Sequence, residues 1–289
     1  MRINACVFAA LLISIAVTLC SCQTSRTKRA VASFVPNGRL QEEQSYGSYV
    51  VRTYRSDGGD GSFEVLKEGS RVYAARGWKF RIGSMYEDKK TNSLVSIGSD
   101  ITGDGHPNLV VSEWTGGAHC CCLFHVFAIG TRFRYIQTIN AMDADGAGFE
   151  NLDEDAALEF PMFDFTFAYW RTSFAESPAP AVILKYQDPK YEMACDLMRK
   201  PSIPHEELNR LAAEIKALSG WENEHPPVRL WAEMLDLVYT GNIFQAWDLV
   251  ELSWPKGIDG KEQFLNDFKA QLQKSPFWKD VQELNRGRT

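Results

Sequence analysis

The spacing of apolar residues changes near Pro201, and this change constrains the fold more than any other feature of the chain. Before Pro201, short apolar runs alternate with polar residues or are bounded by turn residues, which is typical of β-strands. After Pro201, apolar residues recur every three to four positions, which is typical of amphipathic helices. We therefore predict an α+β protein with segregated domains: an antiparallel β domain over residues 46–200 and a small all-α domain over residues 201–289.

Glycine-rich turns separate the short strands of the β part. We predict strands near residues 49–54, 63–66, 72–74, 79–82, 94–97, 109–114, 123–129, 133–136, 160–169, 182–186 and 191–193. Strands of this length and spacing form either propeller blades or a small sandwich. A closed propeller needs about four blades, whereas this region has room for roughly three units. We therefore expect a partial, propeller-like stack or a sandwich.

The α part is divided by proline and glycine into five predicted helices. They lie near residues 202–219, 226–240, 243–252, 261–273 and 276–284. Gly220 and Gly241 end the first two of them, and Pro255 follows the third, as expected of residues that stop a helix.

The first 22 residues have the pattern of an export signal. Arg2 precedes an apolar run over residues 7–19, which is too short to span a bilayer comfortably. The next residues, Leu19-Cys20-Ser21-Cys22, resemble the lipobox of bacterial lipoproteins, in which a small residue precedes the lipidated cysteine. The resemblance implies a signal peptide over residues 1–21 and an acylated Cys22 that attaches the protein to the lipid bilayer. The alternative is an ordinary cleaved signal peptide.

The residue after Cys22 bears on which membrane the protein is sorted to. Gln23 follows the cysteine, whereas Asp at this place generally marks Gram-negative lipoproteins that stay in the inner membrane. The resemblance therefore implies the outer membrane, with the protein facing the periplasm. Residues 22–45 are polar and lack periodicity, which predicts a flexible tether.

Oxygen-bearing residues stand at alternate positions of a loop between two apolar runs. They are Asp100, Thr102, Asp104, His106 and Asn108, of which His106 offers its carbonyl oxygen. A hard cation such as Ca²⁺ takes about six to eight oxygen ligands, and such a loop curls its alternate residues around one centre. Gly105 permits the sharp reversal. An EF-hand would need Glu where Val111 stands, so the EF-hand is excluded.

This loop resembles the calcium loops of integrin-type FG-GAP and VCBS-like repeats, whose pattern is close to Asp-x-Asn-Gly-Asp-Gly-x-x-Asp-Leu. The resemblance implies side-chain ligation by four residues and carbonyl ligation by His106. The four are Asp100, Thr102, Asp104 and Asn108. Thr102 and Asn108 depart from the pattern but keep an oxygen, and Asn108 lacks the charge, so we expect a lower affinity. Loops of this family hold strands in place and rarely take part in catalysis.

A second loop, 51 residues further on, matches the same template. Its positions are Asn151, Asp153, Asp155, Ala157 through its carbonyl, and Glu159. Ala156 replaces the glycine, which makes the turn less favourable. Both loops are also compatible with solvated acidic turns that bind no ion.

A cluster of soft ligands follows the first loop. His119, Cys120, Cys121, Cys122 and His125 lie within seven residues, and such side chains suit Zn²⁺ or Cu(I). Adjacent residues of a strand point to opposite faces, so these side chains cannot all face one ion. A structural disulfide among Cys120, Cys121, Cys122 and Cys195 is therefore favoured in an oxidising compartment. A metal or redox centre is the alternative.

The net charge and the absence of common catalytic motifs limit the classes of function that the chain can have. The net charge is −6 with no basic block, which argues against nucleic acid as a partner. The chain has no Gly-x-Ser-x-Gly, no His-Glu-x-x-His and no phosphate-binding glycine loop. We predict a calcium-stabilised, non-catalytic binding or scaffolding module of the cell envelope, with an envelope protein as partner. The alternative is an envelope enzyme or metal/redox protein that uses the His119–His125 cluster.

Overall fold

The computed structural model describes residues 33–83, 95–117, 121–143, 147–222 and 225–287. The strands are β1 (Arg39–Tyr46), β2 (Tyr49–Arg55), β3 (Gly61–Lys67), β4 (Ser70–Gly77), β5 (Lys79–Ile82), β6 (Asn108–Trp114), β7 (Cys122–Ile129), β8 (Phe133–Met142), β9 (Phe160–Phe163), β10 (Ala181–Gln187) and β11 (Lys190–Met193). The α-helices are α1 (Cys195–Met198), α2 (His205–Lys216), α3 (Val228–Tyr239), α4 (Ile243–Ser253), α5 (Lys261–Leu272) and α6 (Trp278–Leu284). The predicted α+β class is confirmed.

The strands form three antiparallel sheets in chain order. The first sheet contains β1–β4, the second β5–β8 and the third β9–β11, and sequential strands are neighbours in each. Within the described part of the chain, none of the sheets closes into a barrel. Short turns join the strands of the first sheet, β7 to β8 and β10 to β11, whereas longer segments join β5 to β6 and β9 to β10.

The second sheet is buried on both faces. Leu109 and Val111 of β6 pack in a cluster with Phe63 of the first sheet, whereas Val110 belongs to the core on the other side. This division follows from the two-residue period of a strand. Burial on both faces also accounts for the three consecutive apolar residues of β6, Leu109–Val111, where a sheet with one solvated face would show alternation.

The larger core joins the second sheet, the third sheet and the helices. Phe124 of β7 lies against Phe160 of β9, with 4.9 Å between ring centroids. The same core contains Trp231 of α3 and Phe268 of α5, both of which contact the ring of Phe167. The strand and helix regions therefore share one hydrophobic core, although they are segregated along the chain.

The five predicted helices correspond to α2–α6. In α2, the buried residues Leu208, Ala212 and Ile215 recur at helical spacing and form its core-facing stripe. The short helix α1 was not predicted. A strand predicted over residues 160–169 ends at Phe163, because the Asp164 side chain accepts a hydrogen bond from the Thr166 backbone and begins a 3₁₀ turn. The segment predicted as a strand over 94–97 has no strand in its described residues, 95–97.

The predicted tether is structured over its last part, which corrects the 22–45 boundary. β1 pairs along its length with β2, and the backbone carbonyl of Phe34 accepts a hydrogen bond from Arg71 at 2.9 Å. Most side chains of β1 are exposed, so backbone pairing holds a strand that has no apolar alternation. The signal peptide and Cys22 lie outside the described residues. None of the helices in the described ranges is long and apolar enough to cross a bilayer.

Candidate functional site

The two predicted cation loops lie against each other between the second and third sheets. The Ile101 carbonyl accepts hydrogen bonds from the Leu158 backbone at 3.0 Å and from the Tyr191 hydroxyl at 2.9 Å. A Cβ added to Gly103 would lie 2.6 Å from the Ala157 nitrogen, so no side chain fits there. The sequence predicts each loop separately but gives no sign of this contact.

In the first loop, side-chain oxygens bind the loop's own backbone. The Asp100 carboxylate accepts hydrogen bonds from the Gly103 and Gly105 nitrogens, each at 2.8 Å. The Asn108 amide oxygen accepts one from the Ile101 nitrogen at 2.9 Å. Such bonds hold the loop in a tight turn.

The second loop repeats these bonds at equivalent positions. The Asn151 side chain accepts a hydrogen bond from the nitrogen three residues later, that of Glu154, at 2.7 Å, as Asp100 does from Gly103. Glu159 accepts one from the nitrogen seven residues earlier, that of Leu152, at 2.8 Å, as Asn108 does from Ile101. Asp155 accepts from the Ala157 nitrogen at 2.8 Å, and its counterpart in the first loop accepts from the His106 nitrogen at 3.0 Å. The spacing of 51 residues therefore relates two loops of equivalent structure.

The structure brings three predicted ligands of the second loop together. One carboxylate oxygen each from Asp153, Asp155 and Glu159 lies within 4.8 Å of the others. The ammonium group of Lys185, from β10, lies among them: it contacts Asp153, is 2.6 Å from an Asp155 oxygen and is 3.6 Å from a Glu159 oxygen. The Asn151 side chain instead donates to the Asp155 carbonyl at 2.7 Å. The lysine was not recognised from the sequence.

The ammonium of Lys185 offsets part of the negative charge of the three carboxylates. Hydrogen bonds to Asp153 and Asp155 raise the pKa of Lys185, and the bond from Lys185 lowers the pKa of the exposed Asp155. Glu159 is fully buried, and its Oε1 atom has no hydrogen-bond partner. A buried carboxylate needs hydrogen-bond donors or a nearby positive charge to compensate for its lost hydration, and Lys185 supplies a positive charge here.

The two loops differ in how well they fit Ca²⁺. In the first loop, Asp100 and Asp104 keep lone pairs beyond those used for backbone bonds, and the Asp104 side chain is 39% exposed. The buried Thr102 hydroxyl lies beside Asp100, at 3.4 Å. These donors fit a hard cation, although the Asn108 oxygen is turned toward the backbone. In the second loop the central position is taken by Lys185, so Ca²⁺ does not fit without displacing it.

The structure describes three of the four candidate disulfide cysteines. Cys121 is disulfide-bonded, whereas Cys122 and Cys195 are in the thiol form, so the partner of Cys121 lies outside the described residues. Cys122 is buried in the larger core, while Cys195 begins α1, with its sulfur 3.8 Å from the Asp280 carbonyl. Burial raises the pKa of the Cys195 thiol, which makes it less reactive. Cys120 and His119 also lie outside the described residues.

Cys122 and His125 do not converge on one point. The His125 ring lies 5.4 Å from that of Phe63, on the side of the first sheet, whereas Cys122 lies in the larger core. His125 Nε2 is 3.1 Å from a Glu113 oxygen, and Nδ1 is 2.8 Å from the Thr138 hydroxyl. Both nitrogens are therefore engaged by neighbours. Glu113, a carboxylate within the largely buried strand β6, was the sequence feature that could have indicated this pair.

A second buried polar group joins the third sheet to the helices. Asp164 accepts hydrogen bonds from the Tyr239 hydroxyl and the Ser275 hydroxyl, each at 2.5 Å, and all three residues are buried. Burial, together with the Asp164 charge, raises the pKa of Tyr239. The sequence analysis missed this group, because its members come from distant parts of the chain.

A cavity of about 420 Å³ lies between β8, β11 and α6. Gln137, Asn140, Glu192, Lys279 and Asp280 contribute polar groups to its lining. Burial, reinforced by the charge of Glu192, raises the pKa of Asp280. Apolar side chains, among them Met162, Phe163 and Phe277, line the rest of the cavity, so its lining is of mixed polarity.

Comparison with known proteins identifies no relative. No family model, no curated protein and no solved structure matches this chain. Function must therefore be inferred from the residues and their geometry.

Proposed function

We propose that this protein is a lipid-anchored, non-catalytic binding or scaffolding module of the cell envelope, attached to the outer membrane and facing the periplasm. The observation that carries this proposal is the hydrogen-bond pattern that is repeated inside the two loops. The loops contact each other, and the first contacts β11, through the bonds that the Ile101 carbonyl accepts from Leu158 and Tyr191. The buried groups around His125 and Asp164 are each held by hydrogen bonds between neighbouring elements of the fold, which favours a structural role for them. A metal or redox centre is disfavoured because Cys122 and His125 lie on opposite sides of the second sheet.

The finer architecture that we propose is an open stack of three propeller-like units. The first loop lies between β5 and β6, and the second lies between the isolated bridge at Glu150 and β9. When the third unit is compared with the second, Glu150 takes the place of β5, and β9–β11 correspond to β6–β8. The helices cover the third unit, since α3 and α1 contact β10. An envelope protein is the expected partner.

Calcium is expected to stabilise the protein through the first loop. A ligand at 100 times its dissociation constant adds about 2.7 kcal/mol to the unfolding free energy, which raises Tm by roughly 5–10 °C in a chain of this size. Thermal unfolding of the full-length protein in Ca²⁺ and in EDTA measures this effect. Asp104→Asn removes a carboxylate ligand and should abolish the response. The exposed Asp259 provides a matched control, Asp259→Asn, which should retain it.

The calcium proposal fails if Asp104→Asn keeps the full wild-type difference in Tm between Ca²⁺ and EDTA. It also fails if the wild-type protein shows no difference at millimolar Ca²⁺, since the loop would then be a turn held by its own hydrogen bonds.

The anchor is tested by Cys22→Ala. Each buried methylene of an acyl chain contributes about 0.8 kcal/mol to membrane binding, so loss of the acylated cysteine should move nearly all the protein to the soluble fraction. Fractionation of cells followed by immunodetection measures the distribution. Cys20→Ala is the matched control and should stay with the membranes. An unchanged membrane fraction for Cys22→Ala would refute the assignment.

A further inference from the structure

The position of Lys185 differs from that of an ordinary surface lysine. Its ammonium lies at the point where carboxylate oxygens of Asp153, Asp155 and Glu159 converge. Its side chain is only 18% exposed. A lysine ammonium is a compact charge with three donor hydrogens, and here it has three carboxylates around it.

The buried carboxylate explains why a cation is needed at this point. Glu159 has no exposed surface, and one of its oxygens already accepts from the Leu152 nitrogen. The other oxygen has no hydrogen-bond partner and faces Lys185 at 3.6 Å. Without Lys185, a buried negative charge would be left beside two further carboxylates, which is strongly unfavourable.

The first loop lacks an equivalent arrangement. Leu184 of β10 pairs with Phe160 of β9, which places the next residue, Lys185, beside Glu159. The counterpart of Glu159 is Asn108, and the residue of β7 that pairs with it is Ala128. Alanine carries no charge, so only the second of these two equivalent loops has a cation of the chain at this position.

We propose that the second loop is a cation site occupied by the chain's own Lys185, which holds the loop closed without metal. The proposal rests on the equivalence of the two loops that underlies the proposed function, but not on calcium binding by the first loop. It implies a latent site for a hard divalent cation: once the ammonium is removed, the three carboxylates are free to take Ca²⁺.

The test replaces Lys185 by methionine in the full-length protein, since methionine keeps the apolar stem and removes the charge. In EDTA, Lys185→Met should unfold at least about 5 °C below wild type. Millimolar Ca²⁺ should restore most of this loss, and calorimetric titration with Ca²⁺ should show one more site than in wild type. The double variant Lys185→Met/Asp155→Asn should lose the restoration. Lys185→Arg, which keeps a positive charge, should gain no additional site.

Three results would overturn the proposal. The first is a Lys185→Met variant that unfolds at the wild-type temperature in EDTA. The second is a Lys185→Met variant whose Tm rises in Ca²⁺ no more than that of wild type. The third is a calcium response of the wild-type protein that Asp155→Asn removes, because the second loop would then bind metal with its lysine present.

Asp155→Asn alone also decides the matter if Lys185→Met does not fold. A calcium response that Asp155→Asn leaves unchanged supports the proposal, and a lost response overturns it. The first loop is scored separately with Asp104→Asn, so that failure of its calcium site is distinguishable from failure of this inference.

Discussion

Replacing Asp164 by alanine is expected to lower the free energy of unfolding by about 3–5 kcal/mol. The Asp164 carboxylate is 2% exposed. It accepts hydrogen bonds from the Tyr239 and Ser275 hydroxyls on one oxygen, and from the Thr166 backbone and hydroxyl on the other. Truncation leaves buried hydroxyls without their acceptor at the point where the third sheet meets the helices.

Equilibrium unfolding in urea measures this loss as a lower midpoint with an unchanged slope. Tyr239→Phe removes one donor and leaves the carboxylate three others, so it should cost only about 1–2 kcal/mol. A loss below about 1 kcal/mol for Asp164→Ala would contradict the assigned role, because the group would then contribute no more than a surface contact.

The same group gives a pH dependence with a defined sign. The native pKa of Tyr239 is raised, first by burial and then by the Asp164 charge, so the folded protein holds this proton more tightly than the unfolded chain. The resulting stabilisation is complete below the unfolded pKa of about 10 and is lost as the pH rises above it. Tyr239→Phe should therefore weaken the fall in stability in alkaline solution.

The sequence was sufficient for features that depend on local periodicity. The five longer helices and most strands were predicted near their observed positions, because the apolar residues of each element mark its buried face. β1 was missed because backbone pairing with β2 holds it while most of its side chains stay exposed. Local patterns also do not show that the second sheet is covered on both faces.

The site could be predicted only in part, because its decisive contacts are between distant residues. The alternating oxygens of each loop were visible, but Lys185 lies 30 residues from Asp155, on β10. In the same way, Asp164 is 75 residues from Tyr239 and 111 from Ser275. A single sequence shows which groups carry charge, and only the fold shows which of them meet.

The second large effect is expected for Phe63→Ala, which should cost about 3–5 kcal/mol. Phe63 is fully buried between the first and second sheets. Its ring centroid lies 5.0 Å from that of Phe80 and 5.4 Å from that of His125. Alanine would remove the ring at the centre of these contacts and leave a cavity in the smaller of the two cores.

Because Phe63 lies in only one of the two cores, this variant shows whether the first sheet and the helices unfold as one cooperative unit. The first sheet contributes to the smaller core and not to the core shared with the helices. Phe63→Ala should therefore lower the free energy of local opening of β1–β4, which hydrogen exchange measures as faster exchange of their amides. The amides of the helices should keep nearly wild-type protection. Phe244→Ala, at a residue that is 51% exposed, is the control and should change stability by less than about 0.5 kcal/mol. Equal loss of protection in strands and helices would instead mean that β6, which lies in both cores, couples them into one cooperative unit.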